Sequence, residues 1–233
     1  MRLKRYTDAL DSAEAVILSL GLTIEARDPC TNGHCQRLAS YAAALGARLG
    51  LADDQLVALH RGAFLHDVGK IGIPDAVLLK ADRLTADEYA LMQQHAVIGD
   101  KLCSELRLLE DVRPIVRHHH ERPDGTGYPD RLKGKEIPLL ARILSVVDVD
   151  DALTTARPYK PALAPEHAIR ELREEVARGW KFEVIVEEFA ALAEQKGFAP
   201  YTPADTRERS IISNGAQNDE PGPRHCQRHP ASA

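Results

Sequence analysis

The stretch Leu56-Val57-Ala58-Leu59-His60-Arg61-Gly62-Ala63-Phe64-Leu65-His66-Asp67-Val68-Gly69-Lys70 decides how the rest of the chain is read. Leu56, Leu59 and Ala63 recur at helical spacing, so the pattern predicts a helix that starts at an Asp53 N-cap and closes at Gly69. His66 follows Ala63 by three residues and Leu59 by seven, which turns its imidazole inward. His60 precedes an arginine on what reads as the solvent side. Neighbours on a helix diverge by about 100°, so His66 and Asp67 reach one site only at a helix end beside a cleft.

Working outward, other helices repeat the placement. His34 lies four residues before Leu38. His95 lies four after Leu91 and three before Ile98. His119 and His120 follow Ile115 and Val116 by four, Asp148 follows Leu144 by four, and Asp151 lies a turn further on. One histidine on an apolar face is ordinarily a satisfied core residue. Burying such a group costs several kcal/mol unless it is paired or metal-bound. Six or seven together have no use in a hydrophobic core, and a mixed His and Asp cluster is what one or two divalent metals need. Asp67 could bridge two metals, and a water between them becomes a nucleophile for in-line attack on phosphorus. Lys70 follows at once. Alone it would read as a lysine favoured by a helix C-terminus; beside His66 and Asp67 it is placed to neutralise a phosphate oxygen.

The remaining organisation is helical. Leu10, Ala13, Ile17 and Leu20 predict a helix over 9–22, and Leu38, Tyr41, Ala42, Leu45 and Leu49 a second that ends at Gly50. Thr85 and Glu88 form a capping box for a helix to about Leu102. Pro114 opens a short helix through the three histidines, and 124–129 reads as a tight loop. Further helices are expected over 138–154, 166–178 and 184–195. No strand-like alternation persists, so the fold class is all-α, a helical bundle over 1–200. Polar residues, glycine and proline dominate 201–233, which reads as a disordered tail.

Composition narrows the function. A chain of 233 residues with 44% apolar and 28% charged residues has the balance of a soluble globular protein. A net charge of −5 argues against a duplex nucleic acid as partner. The four cysteines form no framework and read as free thiols of a reducing cytoplasm. No signal core and no membrane span is visible, so a cytoplasmic location is expected.

Three blocks resemble one family. His66-Asp67-Val68-Gly69-Lys70-Ile71-Gly72-Ile73-Pro74 resembles the first signature of the HD-GYP family within the HD-domain phosphohydrolases. His119-His120-Glu121-Arg122-Pro123-Asp124-Gly125-Thr126-Gly127-Tyr128-Pro129 resembles the second, with the GYP tripeptide intact. Asp148-Val149-Asp150-Asp151-Ala152-Leu153-Thr154, followed by Arg157-Pro158-Tyr159-Lys160, resembles the third. The match runs from about Ala9 to Ala190. The resemblance implies an HD-domain helical bundle that hydrolyses cyclic di-GMP to linear pGpG, and in some members on to GMP, with iron or manganese as the usual metals. It implies His34, His66, Asp67, His95, His119, His120 and Asp148 as ligands, with Asp67 bridging. It implies Lys70 at the scissile phosphate, Arg157 and Lys160 on the substrate's phosphates, and Asp28 and Asp151 lining the pocket. Gly127, Tyr128 and Pro129 would sit near the site and could also contact diguanylate cyclase (GGDEF) partners.

The chain departs from the pattern at several positions. Cys30 stands where a subset of the family has a glutamate that binds a third metal, so a two-metal site is expected. Asp150 stands where the family often has an aromatic residue, and Gly179-Trp180-Lys181-Phe182-Glu183-Val184 resembles a Phe-Asp-Pro motif with its last two residues changed. His118 lies outside the matched ligands. Little chain precedes the matched part, so stand-alone action and regulation by a separate protein are both open. Two further readings compete: a phosphohydrolase for another cyclic dinucleotide or nucleotide, and a non-catalytic module that binds diguanylate cyclases. The complete ligand set argues against the module.

Overall fold

Apolar residues three and four apart draw the chain into helices, and buried leucines, isoleucines and alanines then pack those helices together. The computed structural model describes residues 2–27, 33–80, 82–156 and 161–194. The expectations for Asp28, Cys30, Arg157, Lys160 and the tail 201–233 lie outside these residues. The helices are α1 (Arg2–Glu25), α2 (His34–Arg48), α3 (Asp53–Leu65), α4 (Asp75–Leu78), α5 (Ala86–Ser104), α6 (Arg113–His118), α7 (Leu139–Thr154), α8 (Pro165–Ala177) and α9 (Glu183–Ala193). The described residues contain no strand, and one isolated antiparallel bridge pairs Asp124 with Lys133. The all-α class is as expected.

Local chemistry sets the boundaries. Glu88 N–H donates to Thr85 Oγ1 at 3.3 Å and Thr85 N–H donates to Glu88 Oε2 at 2.7 Å, the expected capping box of α5. At α3 the expectation is corrected by one residue. Ala52 holds the N-cap place, because its N–H donates to the Gln55 side chain at 3.1 Å, and Asp53 opens the first turn. The helix also stops at Leu65, and a 3₁₀ segment, Val68–Gly72, follows. That segment lies directly on α5: a Cβ at Gly69 would be 1.9 Å from His95 O and 2.5 Å from Gly99 N. Glycine at 69 is therefore needed for close approach, and it does not end the helix.

Two apolar clusters form the core. Leu38 and Leu45 of α2, Leu59 and Ala63 of α3, Ile143 and Leu144 of α7, Leu172 of α8 and Phe189 of α9 make the larger. Ile17 and Ile24 of α1, Leu65, Val68, Cys103 of α5 and Val112 and Val116 near α6 make the smaller. His60 corrects the reading of its face as solvent: it is buried, with its ring centroid 5.3 Å from that of Phe64. The cause is α1, which packs on α3 and pairs its Glu14 with Arg61 at 2.9 Å. Cys35 and Cys103 are buried free thiols. No helix of the described residues is long and apolar enough to cross a membrane.

Candidate metal centre

Five helices bring their donors to one place. His34 is the first residue of α2, His66 and Asp67 follow α3, His95 comes from α5, His119 and His120 follow α6, and Asp148 comes from α7. Asp67, His95, His119 and His120 form one group of converging donor atoms, and His34, His66 and Asp67 form another. Within each group the atoms lie within 4.8 Å of one another. Asp67 belongs to both: Oδ2 is 3.2 Å from His66 Nε2, and Oδ1 is 3.5 Å from His95 Nε2. Asp148 Oδ1 is 3.5 Å from His34 Nε2. All seven residues read as ligands from the sequence thus meet in space.

The rings are oriented from behind. Nδ1 of His66, His95 and His119 donates to the carbonyls of Ala63, Met92 and Val116 at 2.8, 2.7 and 2.8 Å. For His95 and His119 those bonds assign the neutral tautomer whose bare Nε2 points into the cluster. Nε2 of His95 and Nε2 of His119 then face each other at 3.4 Å. Two buried lone pairs that converge without a proton repel one another unless a cation lies between them. Imidazole nitrogens and carboxylate oxygens are the donors that divalent transition metals take, so this cluster fits a divalent metal ion.

Electrostatics keep His95, His119, His120 and Asp67 in ligating form, whereas His66 holds a proton. Burial, reinforced by neighbouring imidazoles, holds His95, His119 and His120 below the ordinary histidine range, neutral at pH 7. Burial opposes charge on Asp67, but Lys70 and then His66 outweigh it, and the carboxyl stays well below the usual range. Burial likewise opposes charge on His66, yet the carboxylate of Asp67 lifts it to about 9. Lys70 Nζ lies 2.7 Å from Asp67 Oδ2.

Other residues hold this frame, and their roles were not legible in the sequence. Both oxygens of Glu25 cap α2, accepting from His34 N–H and Cys35 N–H at 3.1 Å each. Arg27 reaches across to the carbonyls of Lys70 and Ile73 at 2.9 and 3.1 Å, pinning the 3₁₀ segment that carries Lys70. Glu121 is buried and accepts from Asp130 N–H and Leu132 N–H at 2.7 and 3.1 Å, closing the loop after Pro129. A Cβ at Gly127 would meet Arg122 N at 2.3 Å, so that loop folds directly onto the segment after His120. Tyr128 stacks against His120, with centroids 4.8 Å apart, and a cis peptide bond joins it to Pro129. Gly127 and Tyr128 line a cavity of about 340 Å³ together with His119, His120 and Asp148. His118 points away and binds Asp130 at 2.9 Å, outside both groups. Asp150 is half-buried, and burial followed by Asp151 raises its carboxyl to about 7.

Asp151 differs from the expectation of a pocket-lining substrate contact. It is buried behind His34, accepting from His34 Nδ1 at 2.7 Å and from Arg37 at 2.5 and 3.0 Å. Both oxygens are engaged, so the carboxylate orients His34 and does not face the cavity. Second-layer partners of this kind typically contribute about 10–100-fold to metal affinity. Asp151→Asn is expected to weaken metal binding by that factor in the group containing His34 and to spare the His95, His119 and His120 group. Metal titration with counted equivalents checks this. Two unchanged binding steps would contradict it.

A family model described as HD domain matches residues 22–181. The chain is 43% identical over 171 residues to a cyclic di-GMP phosphodiesterase response regulator of Xanthomonas campestris, covering 72% of this chain and 45% of that protein. It is 38% identical over 173 residues to 3'3'-cGAMP-specific phosphodiesterase 2 of Vibrio cholerae, covering 73% and 33%. Its fold resembles the crystal structure of a cyclic GMP-AMP specific phosphodiesterase of Vibrio cholerae, at TM-score 0.62 and 23% identity over 84% of this chain and 52% of that one. The chain spans less than half the length of these curated relatives.

Proposed function

The chain belongs to the HD domain family, and from that premise we propose that it is a metal-dependent phosphodiesterase that opens cyclic di-GMP to linear pGpG. One observation carries this reading: a single carboxylate, Asp67, is shared by two buried donor groups beside a nucleotide-sized cavity. Two divalent ions are assigned to those groups, iron or manganese on the strength of the family resemblance. When bound, such ions lower the pKa of water and offset charge on a phosphoryl group. His34, His66 and Asp148 would hold one ion, His95, His119 and His120 the other, and Asp67 both.

The chain's own groups do the rest. Neutral imidazoles and an ionised Asp67 need no proton change at pH 7 to ligate, His66 excepted. Lys70, already beside Asp67, is assigned to the scissile phosphate. Gly127, Tyr128 and Pro129 are assigned to the substrate's flank. Asp28, Arg157 and Lys160 keep the substrate contacts that their motif positions imply. A catalytic unit over 1–200, action in the cytoplasm and contact with diguanylate cyclases through the 127–129 loop belong to the same proposal.

A second reading, 3'3'-cGAMP as substrate, is favoured by the name of the Vibrio relative above. Incubation with each dinucleotide and chromatography of the products separates the two. Linear pGpG from cyclic di-GMP is the expected result. Cleavage of 3'3'-cGAMP alone would favour the second reading, and cleavage of neither would overturn both.

A further inference from the structure

The cavity beside the metal centre carries side chains to which the proposed chemistry assigns no role. Arg122 places its Cζ over the Trp180 ring, 3.9 Å from the centroid, and lines the cavity. The Trp180 backbone N–H donates to the Glu175 carbonyl at 2.8 Å, which ties the residue that carries the ring to the end of α8. Glu175 and Lys181 line the same space. Lys181 is anchored by Ser145, through its carbonyl at 3.0 Å and its hydroxyl, and its Nζ is 3.9 Å from Glu175. Ser145 lies three residues before Asp148 on α7, so this polar wall stands about one helical turn from a ligand of the metal centre.

We infer that Arg122, braced by Trp180, and Glu175, held by Lys181, form a guanine-reading subsite of the cavity. The inference rests on the cyclic dinucleotide reading and adds to it a choice of base. Guanine presents two adjacent acceptors, O6 and N7, which the planar fork of an arginine matches with two parallel bonds. The next edge of guanine carries N–H donors, which a carboxylate accepts. Adenine has an amino donor where guanine has O6, and a bare ring nitrogen where guanine has N–H. An arginine beside a carboxylate therefore accepts guanine and turns adenine away on both edges. Contact with the Trp180 ring holds the fork in place before the base arrives, so little side-chain entropy is lost on binding.

The test compares GMP with AMP on the full chain loaded with manganese. The two share a phosphate, so phosphate and metal contacts cancel and only the base differs. Trp180 is the chain's only tryptophan, so its emission reports on this wall directly. GMP is expected to bind at least about tenfold more tightly than AMP. That preference should fall to about one in Arg122→Lys, which keeps the charge but loses the fork, and in Glu175→Gln, each with metal content retained. Equal binding of GMP and AMP by the unaltered chain overturns the subsite, as does a preference that survives both substitutions. GMP preference in a chain that cleaves no cyclic dinucleotide would support the subsite and overturn the proposed activity. Equal kcat/KM for cyclic di-GMP and cyclic di-AMP would overturn the subsite and leave the activity standing.

Discussion

Asp67→Ala is expected to remove bound metal and turnover together. The residue is the one donor common to both groups, 3.2 Å from His66 and 3.5 Å from His95 through opposite oxygens. Loss of a second-layer partner alone costs about 10–100-fold in metal affinity. A shared direct donor should cost at least about 100-fold at each group, and activity should drop below detection. The substitution also leaves the buried His66 and the ammonium of Lys70 without the carboxylate that offsets them. A small loss of stability is therefore expected in the metal-free protein as well. Metal analysis and hydrolysis of cyclic di-GMP on one preparation check the prediction. Retention of two metals with full activity would contradict a shared role for Asp67.

Gly69→Ala is expected to produce the second largest effect, through backbone and not chemistry. The added methyl would lie 1.9 Å from His95 O, a backbone atom that no rotamer change can move. Either the 3₁₀ segment lifts from α5 or α5 shifts, and both separate Asp67 from His95. Overpacking of this kind costs about 3 kcal/mol, which in a chain of this size lowers Tm by roughly 10 °C. Metal affinity should fall with it. A thermal melt with and without added manganese tests both parts. An unchanged Tm would show that the contact between this segment and α5 is looser than described.

The converging donor residues are legible in the sequence because they break a rule. His34, His66, His95, His119 and Asp148 continue a helical spacing that apolar residues otherwise occupy, and periodicity exposes them. The capping box at Thr85 and Glu88 was legible because both partners lie within one turn. What the sequence hid depends on tertiary contact. Asp151 reads as a second pocket carboxylate until α7 is docked on α2, where it meets a histidine 117 residues away. Glu25 and Arg27 look like surface charges at the end of α1, yet one caps α2 and the other pins the segment after Gly69. His60 looks solvent-facing by periodicity, but α3 is covered on two faces, by α2 and by α1. Gly69 looks like a helix stop in the sequence because its close approach to His95 O involves a helix far off along the chain. Arg122 and Trp180, 58 positions apart, give no signal of their contact in the sequence.

We propose the two donor groups sharing Asp67 as one dinuclear hydrolytic centre. Its most direct test is a titration of the chelator-treated full chain with manganese or iron under anaerobic conditions, with bound metal and cyclic di-GMP hydrolysis measured on the same samples. No turnover is expected without metal, and full turnover only as bound metal approaches about two ions per chain. Turnover that is complete in the metal-free chain, or that saturates at a single ion with the second group empty, would contradict it.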